Sequence, residues 1–250
     1  MEQKILYEDN HLLVVEKGQN IPTQSDASGD PDELSLMKNY LRETYHKPGN
    51  VYLGLVHRLD RPTGGVMVFA KTSKAASRLS DQLRSHAMRR VYLAAVSGKT
   101  PLSGSLEDYL LKDSRTNQSR VVSKETPGAK LARLRFLTLE QLHDMSLVAV
   151  QLQTGRSHQI RVQMAASGHP LIHDVKYNRN TTTGQLALYS CSLCLIHPTT
   201  KEPLQFVCPP PQTDPWTSFP AFLYEKESLL SLDQRLQIDT GSSDVIMNSF

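Results

Sequence analysis

The sequence predicts an α+β fold with a mixed, mostly antiparallel sheet and flanking helices. Short apolar runs separated by turn residues predict strands, as in Ile5–Glu8 and Leu12–Lys17 on either side of Asp9-Asn10. Amphipathic helical spacing occurs in only a few segments, and strands and helices follow no regular βαβ order. Because no change in composition divides the chain, we expect one domain over residues 1–225 and a weakly helical or frayed tail over residues 226–250.

Capping residues indicate where the helices begin. Asp32 and Ser157 each precede an apolar helical pattern, and their side chains can accept a hydrogen bond from the first turn. We expect three helices, which run from Asp32 to about Tyr45, from Thr72 or Ser73 to about His86, and from Ser157 to Ala166. The segment Trp216–Tyr224 is expected to add a last short helix.

The remaining apolar runs predict the other strands of the sheet. They are Leu53–Val56, Val66–Ala70, Val91–Val96, Ala132–Glu140, Ser146–Gln153, Leu186–Ile196 and Leu204–Val207. The polar, basic stretch Leu110–Lys124 is expected to form an exposed hairpin or loop. Cys191 and Cys194 form a CxxC inside one apolar run and no second pair follows, so we expect buried free thiols and no zinc site.

Composition and charge narrow the functional class only slightly. The 250 residues carry a formal net charge of +3 and 39% hydrophobic residues, which suits a globular domain and permits binding to nucleic acid. Three cysteines are too few for a disulfide framework. No signal peptide and no apolar stretch of membrane-spanning length is visible, so we expect a cytoplasmic protein that does not enter a membrane.

The first segment that carries chemistry is HRLDRPTGG, residues 57–65, between two predicted strands. Pro62 disfavours helix at Arg61, and the two glycines allow a tight, ordered connection. Asp60 lies between Arg58 and Arg61 beside buried strand ends, where an isolated carboxylate would be costly. From these residues alone, a structural Arg–Asp pair and a reactive carboxylate are both possible.

The second segment, residues 154–177, concentrates Arg156, His158 and Arg161 in a turn and the start of a helix. An arginine on that helix could neutralise Asp60, and such a pairing lowers the pKa of a carboxyl group and keeps it ionised. Taken alone, Arg161 is equally consistent with a helix residue on the surface.

Several motifs together resemble the RluA family of pseudouridine synthases, over about Ile5 to Pro211. They are HRLDRPTGG, VMVFAK, RRVYLAAVSG and GRSHQIRVQMAASGHPLI, in this order. The resemblance implies the pseudouridine synthase fold with a central catalytic cleft, a reaction without metal or cofactor, and a ribosomal or transfer RNA as partner. We expect a short form without the N-terminal RNA-binding domain of many relatives, and a monomer without an obligate protein partner, because nothing in the sequence demands an oligomer.

The resemblance assigns roles to four residues. Asp60 corresponds to the catalytic aspartate, and Arg161 to the basic residue that pairs with it. Tyr92 corresponds to the tyrosine that stacks on the target base and assists removal of its C5 proton. Arg58 corresponds to the arginine that enters the RNA helix where the target base has left.

Basic residues around these motifs are expected to contact RNA. The candidates are Arg58, Arg61, Arg84, Arg89, Arg90, Lys112, Arg115, Arg120, Arg156 and His158. For the run from Arg84 to Arg90, a solvated helix end and a phosphate-contacting edge are equally consistent with the sequence.

Three positions depart from the family pattern. The family usually has serine where Gly65 stands, glycine where His173 stands, and a histidine near Tyr189. We expect Gly65 to loosen the loop after Asp60 and His173 to alter the RNA-facing surface.

Two other functions fit parts of the sequence. A metal-dependent phosphoesterase would use scattered ligands, namely His57, Asp60, His158, His169, His173 and Asp174. However, no helical HxxxH or HExxH pair is present, and the arginines beside Asp60 would repel a cation. A non-catalytic RNA-binding protein of the same fold is the second alternative, although Asp60, Tyr92 and Arg161 are all present.

Overall fold

The computed structural model describes residues 4–181, 183–238 and 246–247, which form two compact units. The first unit contains the chain up to Arg89 together with Ser190–Cys208, and the second contains Arg90–Tyr189 and the chain from Pro209 onwards. The expectation of one domain over residues 1–225 stays a prediction.

The elements follow one another as a strand-rich chain with four α-helices among the described residues. In order they are β1 (Lys4–Glu8), β2 (Leu12–Lys17), α1 (Glu33–Thr44), β3 (Gly54–Leu55), β4 (Gly64–Ala70), α2 (Ser73–Arg84), β5 (Arg89–Ser97), β6 (Ser103–Asp113), β7 (Gln118–Val122), β8 (Lys130–Gln141), β9 (Met145–Leu152), α3 (Gln159–Ala166), β10 (Leu188–Ile196), β11 (Pro203–Val207), α4 (Lys226–Ile238) and β12 (Ile246–Met247). Two short 3-10 helices, Trp216–Ser218 and Ala221–Tyr224, precede α4.

Local hydrogen bonds explain why the first unit begins as it does. The β1–β2 turn is held by Asp9, whose Oδ1 accepts hydrogen bonds from the backbone N–H groups of His11 and Leu12, both at 2.7 Å. Helix α1 starts after Asp32, whose carboxylate accepts from the Ser35 N–H at 3.0 Å, as the capping pattern predicts. Helix α2 is capped in the same way by Thr72.

The sheet of the first unit has the strand order β1-β2-β4-β10-β11, with β3 also paired to β4. The pairs β1–β2, β2–β4, β3–β4 and β10–β11 are antiparallel. Its core consists of the buried side chains of β2 and β4, with Met37 and Leu41 of α1 and Leu79 of α2 also buried. This core fixes both ends of the segment that carries Asp60.

The sheet of the second unit has the order β5-β9-β8-β6-β7, and every pair in that series is antiparallel. Strand β12 joins β6 in parallel. Helix α3 packs Val162 against Leu110 and Ala132 of the sheet. Helix α4 adds a buried hydrogen bond from Gln151 Nε2 to Asp233 Oδ1 at 2.9 Å.

The structure confirms the predicted fold class, an α+β fold with a mixed, mostly antiparallel sheet. The helix expected after residue 226 is α4, and the rest of the predicted tail lies largely outside the described residues. The free thiols of Cys191 and Cys194 are buried in β10, as predicted. Within the described chain, no helix is both long and apolar enough to traverse a bilayer.

Two expected elements differ from the structure. Helix α3 begins at Gln159 and its N-cap is His158 in the left-handed region, at φ 55°, so the prediction of Ser157 as the cap is wrong. The basic stretch is part of the predicted hairpin, but its first strand, β6, already begins at Ser103.

Candidate active site

The Asp60 segment connects β3 to β4 in the first unit, and hydrogen bonds hold it on both sides of Asp60. Thr23 Oγ1 donates to the Leu59 carbonyl at 2.8 Å and also lies 3.3 Å from the Leu59 N–H. His57 Nε2 accepts from the Val68 N–H at 3.1 Å, and the Thr63 N–H donates to the Asp60 carbonyl at 2.9 Å. His57, Leu59 and Thr63 are therefore buried anchors, and Asp60, which stands between Leu59 and Thr63, is half-buried.

A buried lysine, Lys17, also holds the Asp60 segment in place through hydrogen bonds. Lys17 Nζ donates to the carbonyl oxygens of Gly18 at 2.8 Å, Ile21 at 2.7 Å and Arg61 at 3.2 Å. Burial lowers the pKa of Lys17 to about 8, although the negative charges of Glu33 and Asp60 favour its charged form. Burial likewise raises the pKa of Glu33 to about 7, against the opposing effect of Lys17.

Gly65 makes the start of β4 tight, which contradicts the expectation that it loosens the loop. Its φ is +115°, and a Cβ built there would lie 2.1 Å from the carbonyl oxygen of Ser190. No residue with a side chain fits this backbone without a shift, so serine cannot stand at position 65 in this conformation. Position 65 must be glycine because the Ser190 carbonyl of the neighbouring strand β10 lies so close to it.

The second unit holds Tyr92 and Arg161. Tyr92 lies on β5, opposite Val150 of β9, and is buried. Arg161 is on the first turn of α3 and is also buried, with 3% of the residue exposed. A buried guanidinium requires a partner, because arginine stays charged at any accessible pH.

That partner within the second unit is Asp174. Arg161 Nε donates to Asp174 Oδ2 at 2.8 Å, and Arg161 Nη2 donates to Oδ1 at 2.6 Å, which is a two-point ion pair. Asp174 Oδ1 also accepts from the backbone N–H groups of Lys176 and Tyr177, at 3.0 and 3.2 Å. The sequence reasoning did not assign this pair, and the predicted pairing of Arg161 with Asp60 stays a prediction.

Tyr177 joins the Arg161 helix to the basic hairpin of β6 and β7. Its hydroxyl accepts from the Ser119 N–H at 2.8 Å and lies 2.7 Å from His158 Nδ1. Its ring lies beneath the guanidinium of Arg161, with 5.2 Å between the guanidinium carbon and the ring centroid. Of this network, His158 and Arg161 were signalled by their motif in the sequence, whereas Tyr177 was not singled out.

The ten candidate RNA-binding residues divide by exposure. Exposed at the surface are Arg58, Arg61, Arg84, Lys112, Arg115, Arg120 and Arg156, and Arg89 is half-buried. Arg90 and His158 are buried, with 8% and 7% of each residue exposed, so neither is the solvated surface residue that the basic pattern indicates. Three of the exposed arginines have acidic partners, because Arg61 pairs with Asp30, Arg84 with Asp81 and Arg115 with Asp113.

The side chain of His173 is largely buried in the second unit, and its expected effect on an RNA-facing surface stays a prediction. Its side chain is only 9% exposed, and its Nε2 lies 3.1 Å from Asp214 Oδ2. A Cβ at Gly184 would lie 2.5 Å from its ring, so the ring fills the space beside that glycine. The φ of His173 is 58°, a conformation that suits the glycine of the family pattern.

The geometry gives the phosphoesterase alternative no support. Both oxygens of Asp174 are bound by Arg161, and His57 accepts a backbone hydrogen bond. Among the described residues, no group of three or more His, Cys, Asp or Glu side chains is arranged to hold a metal ion.

Comparisons with known proteins agree with the resemblance. The sequence model of a family described as RNA pseudouridylate synthase matches residues 11–166. The ribosomal large subunit pseudouridine synthase C of Buchnera aphidicola subsp. Schizaphis graminum is 34% identical over 215 residues, which are 82% of this chain and 66% of that protein. The uncharacterized RNA pseudouridine synthase YjbO of Bacillus subtilis is 36% identical over 214 residues, which are 83% of this chain and 72% of that protein.

A solved structure supports the fold. The human protein named RNA Pseudouridylate Synthase Domain Containing 1 has a TM-score of 0.70 and 22% identity, with 95% of each chain covered. At that identity the likeness shows the fold alone, whereas the sequence matches show the family. This chain, which spans 66% and 72% of the length of the two bacterial relatives, therefore belongs to the RNA pseudouridylate synthase family.

Proposed function

We propose that this chain converts uridine to pseudouridine in RNA, with Asp60 as the catalytic carboxylate. The observation that carries the proposal is the Asp60 segment itself, which lies within the region matched by the family and is held by the buried residues Leu59 before Asp60 and Thr63 after it. A half-buried carboxylate on a rigid segment is the arrangement that a reaction at a sugar carbon requires.

The chemistry is an isomerisation in which the atoms of the nucleotide balance without a co-reactant. The bond between N1 and C1′ breaks, the base turns, and C5 forms the new bond to C1′. C5 loses its proton and N1 gains one. Asp60 either forms an ester with C1′ or removes the 2′ proton, and in both routes its negative charge stabilises the cation-like sugar.

Three other residues complete the proposal. Tyr92 stacks on the flipped base, and Arg58, which is exposed, enters the stack that the base has left. Arg161 keeps Asp60 ionised, and Asp174 holds Arg161 through two hydrogen bonds. The extrusion of the base costs a few kcal/mol, which stacking by Tyr92 and Arg58 partly offsets.

We propose ribosomal RNA as the substrate and prefer it to transfer RNA. Support comes from the name of the Buchnera relative, a large-subunit ribosomal enzyme that is 34% identical to this chain. Mapping of pseudouridines in ribosomal and transfer RNA from cells with and without this protein tests the choice. Sites lost only from transfer RNA would contradict it.

The activity itself is tested with the substitution Asp60→Asn. This change removes the charge and keeps the shape, so pseudouridine formation should fall by at least about a thousandfold while RNA affinity stays within about threefold. Asp144→Asn, which alters an exposed loop carboxylate in the second unit, is the matched control and should leave both unchanged. Turnover retained by Asp60→Asn would refute the assignment, and a wild-type protein that binds RNA without turnover would be the non-catalytic binder.

A further inference from the structure

Arg90 is an arginine with an unusual environment. It lies at the start of β5 in the second unit, and only 8% of it is exposed. Within the part of the chain that the structure describes, its Nε is buried without a hydrogen-bond partner and its guanidinium takes part in no ion pair. Arg161, the other buried arginine of this unit, has Asp174 as its ion-pair partner.

An unpaired buried guanidinium is expensive for the free protein. Arginine cannot escape the penalty by losing its proton, since its pKa lies above any accessible pH. A buried donor without a partner costs about 1–3 kcal/mol, and more when it is charged. Such a group is expected where an anionic ligand supplies the missing partner.

The surroundings of Arg90 also favour an anion. A Cβ at Gly155 would lie 3.2 Å from Arg90 Nη1 and 3.6 Å from Nη2, so the guanidinium lies against this turn, and the glycine places no side chain over it. Gly155 is followed by Arg156, which is exposed. Helix α3 begins at Gln159, and its N-cap His158 makes no side-chain hydrogen bond to the first turn, so the positive end of the helix follows the Gly155 turn directly in the chain.

The position of Arg90 relative to Tyr92 suggests which anion binds. Residues two apart on a strand project from the same face, and they are separated by about 7 Å along it. The base and the backbone phosphate of one nucleotide are separated by a comparable distance. If Tyr92 stacks on the target base, Arg90 is placed for the phosphate beside it.

We propose that Arg90 and the turn at Gly155 form a binding site for one phosphodiester of the RNA, the one adjoining the target uridine. This inference rests on the proposed function, because it takes the base on Tyr92 as its reference point. The site differs from the exposed basic residues, which attract RNA through long-range charge, since a guanidinium that is only 8% exposed can contact only a phosphate seated directly on it.

The first test compares the stability of the free protein with its affinity for RNA. The substitution Arg90→Met removes an uncompensated buried charge, so the melting temperature should stay the same or rise. Affinity for a hairpin carrying a uridine that the wild-type protein modifies should fall about tenfold or more. Arg42→Met, at an exposed arginine of α1, is the matched control and should change affinity less than about twofold.

The second test replaces single phosphates of that hairpin with uncharged methylphosphonates. Replacement of one phosphate next to the target uridine should weaken RNA binding by the wild-type protein about tenfold. The same replacement should not weaken binding by Arg90→Met. Gly155→Ala should give an intermediate loss, because the new methyl group would press on Nη1.

The two proposals fail in different ways. Suppose that the wild-type protein forms pseudouridine. The phosphate site is then wrong, and the activity stands, if Arg90→Met binds the hairpin with unchanged affinity. The same holds if each methylphosphonate lowers the affinity of Arg90→Met by the same factor as that of the wild-type protein. A sharp drop in melting temperature for Arg90→Met, with affinity intact, would also overturn the site and assign Arg90 a structural role. If the wild-type protein modifies no RNA, both proposals are overturned.

Discussion

The ion pair of Arg161 and Asp174 shows what a single residue contributes to this site. Both side chains are buried, and their two hydrogen bonds fix the plane of the guanidinium. The importance of Arg161 was predictable from its motif. Its partner was not, because Asp174 lies outside the helix, and its contact depends on how the following turn folds back over α3.

Asp174→Asn should destabilise the protein by about 3 kcal/mol or more. The substitution leaves the Arg161 charge buried without an opposite charge, which is the costly way to break such a pair. Urea unfolding monitored by circular dichroism measures the change. Glu107→Gln breaks the exposed pair with Arg133 and should change stability by less than about 1 kcal/mol. Equal effects of the two substitutions would contradict the structural role of Asp174.

Gly65→Ala should destabilise the protein more than the backbone conformation alone explains. The added Cβ would meet the Ser190 carbonyl at 2.1 Å, at a residue whose φ is already +115°. Gly29→Ala is the control, since Gly29 also has a positive φ, +74°, and open space around it. We expect about 1 kcal/mol for Gly29→Ala and at least about 3 kcal/mol for Gly65→Ala in the same unfolding assay.

At the scale of elements, the capping rules were the most successful predictors. They located α1 and α2 because Asp32 and Thr72 act through contacts within their own helix. They failed at α3, where His158 takes the left-handed conformation and its ring packs against Tyr177. The start of β6 was not predicted because its buried face carries Gly104 and Asp108, which hide the alternation of apolar residues.

Two buried side chains of opposite charge, Lys17 on β2 and Glu33 on α1, predict that the stability of the protein depends on pH. Glu33 has its pKa raised from 4.5 to about 7, so the folded state holds its proton more tightly than the unfolded state. Its contribution is therefore present below pH 4.5 and is lost as the pH rises to about 7. Lys17 has its pKa lowered from 10.5 to about 8, and its contribution falls as the pH drops from 10.5 to about 8.

The substitution Glu33→Gln removes the part of this pH dependence that comes from Glu33. Between pH 4.5 and 7 the free energy of unfolding of the wild-type protein should fall by about 1–3 kcal/mol relative to that of the variant. Chemical unfolding at a series of pH values measures the difference. Glu43→Gln alters an exposed carboxylate at the other end of α1 and is the control. Its free energy of unfolding should change with pH in the same way as that of the wild-type protein. A parallel curve for Glu33→Gln would show that Glu33 titrates normally.

At the scale of the whole molecule, the fold class and the family were predictable and the division into two units was not. Domain boundaries usually lie in polar linkers. Here the chain passes between the units after Arg89, inside β5, before Ser190, inside β10, and after Cys208, just beyond β11, so two of the three boundaries lie inside strands. A boundary within a buried strand leaves no trace in composition. The family motifs, in contrast, could be recognised from the sequence because their residues are adjacent in it.

The basic residues of the β6–β7 hairpin should govern the salt dependence of RNA binding. Reversal of the charges at Lys112, Arg115 and Arg120, which are all exposed, should weaken binding and flatten the plot of log affinity against log salt by about 2 to 3 units. Filter binding between low and high salt measures the slope. Reversal of Lys226 and Arg235 on α4 is the control of similar charge. An unchanged slope for the hairpin variant would place the RNA elsewhere.

Tyr177 gives this hairpin a direct mechanical link to the helix of Arg161. Its hydroxyl accepts from the backbone of β7, and its ring supports the guanidinium, so one aromatic side chain touches both. Any force that a seated polynucleotide exerts on the hairpin is transmitted through that phenol to α3. If RNA binds this hairpin as proposed, its docking and the alignment of the arginine are coupled, and a loosely held transcript would leave the helix less rigid than a fully seated one.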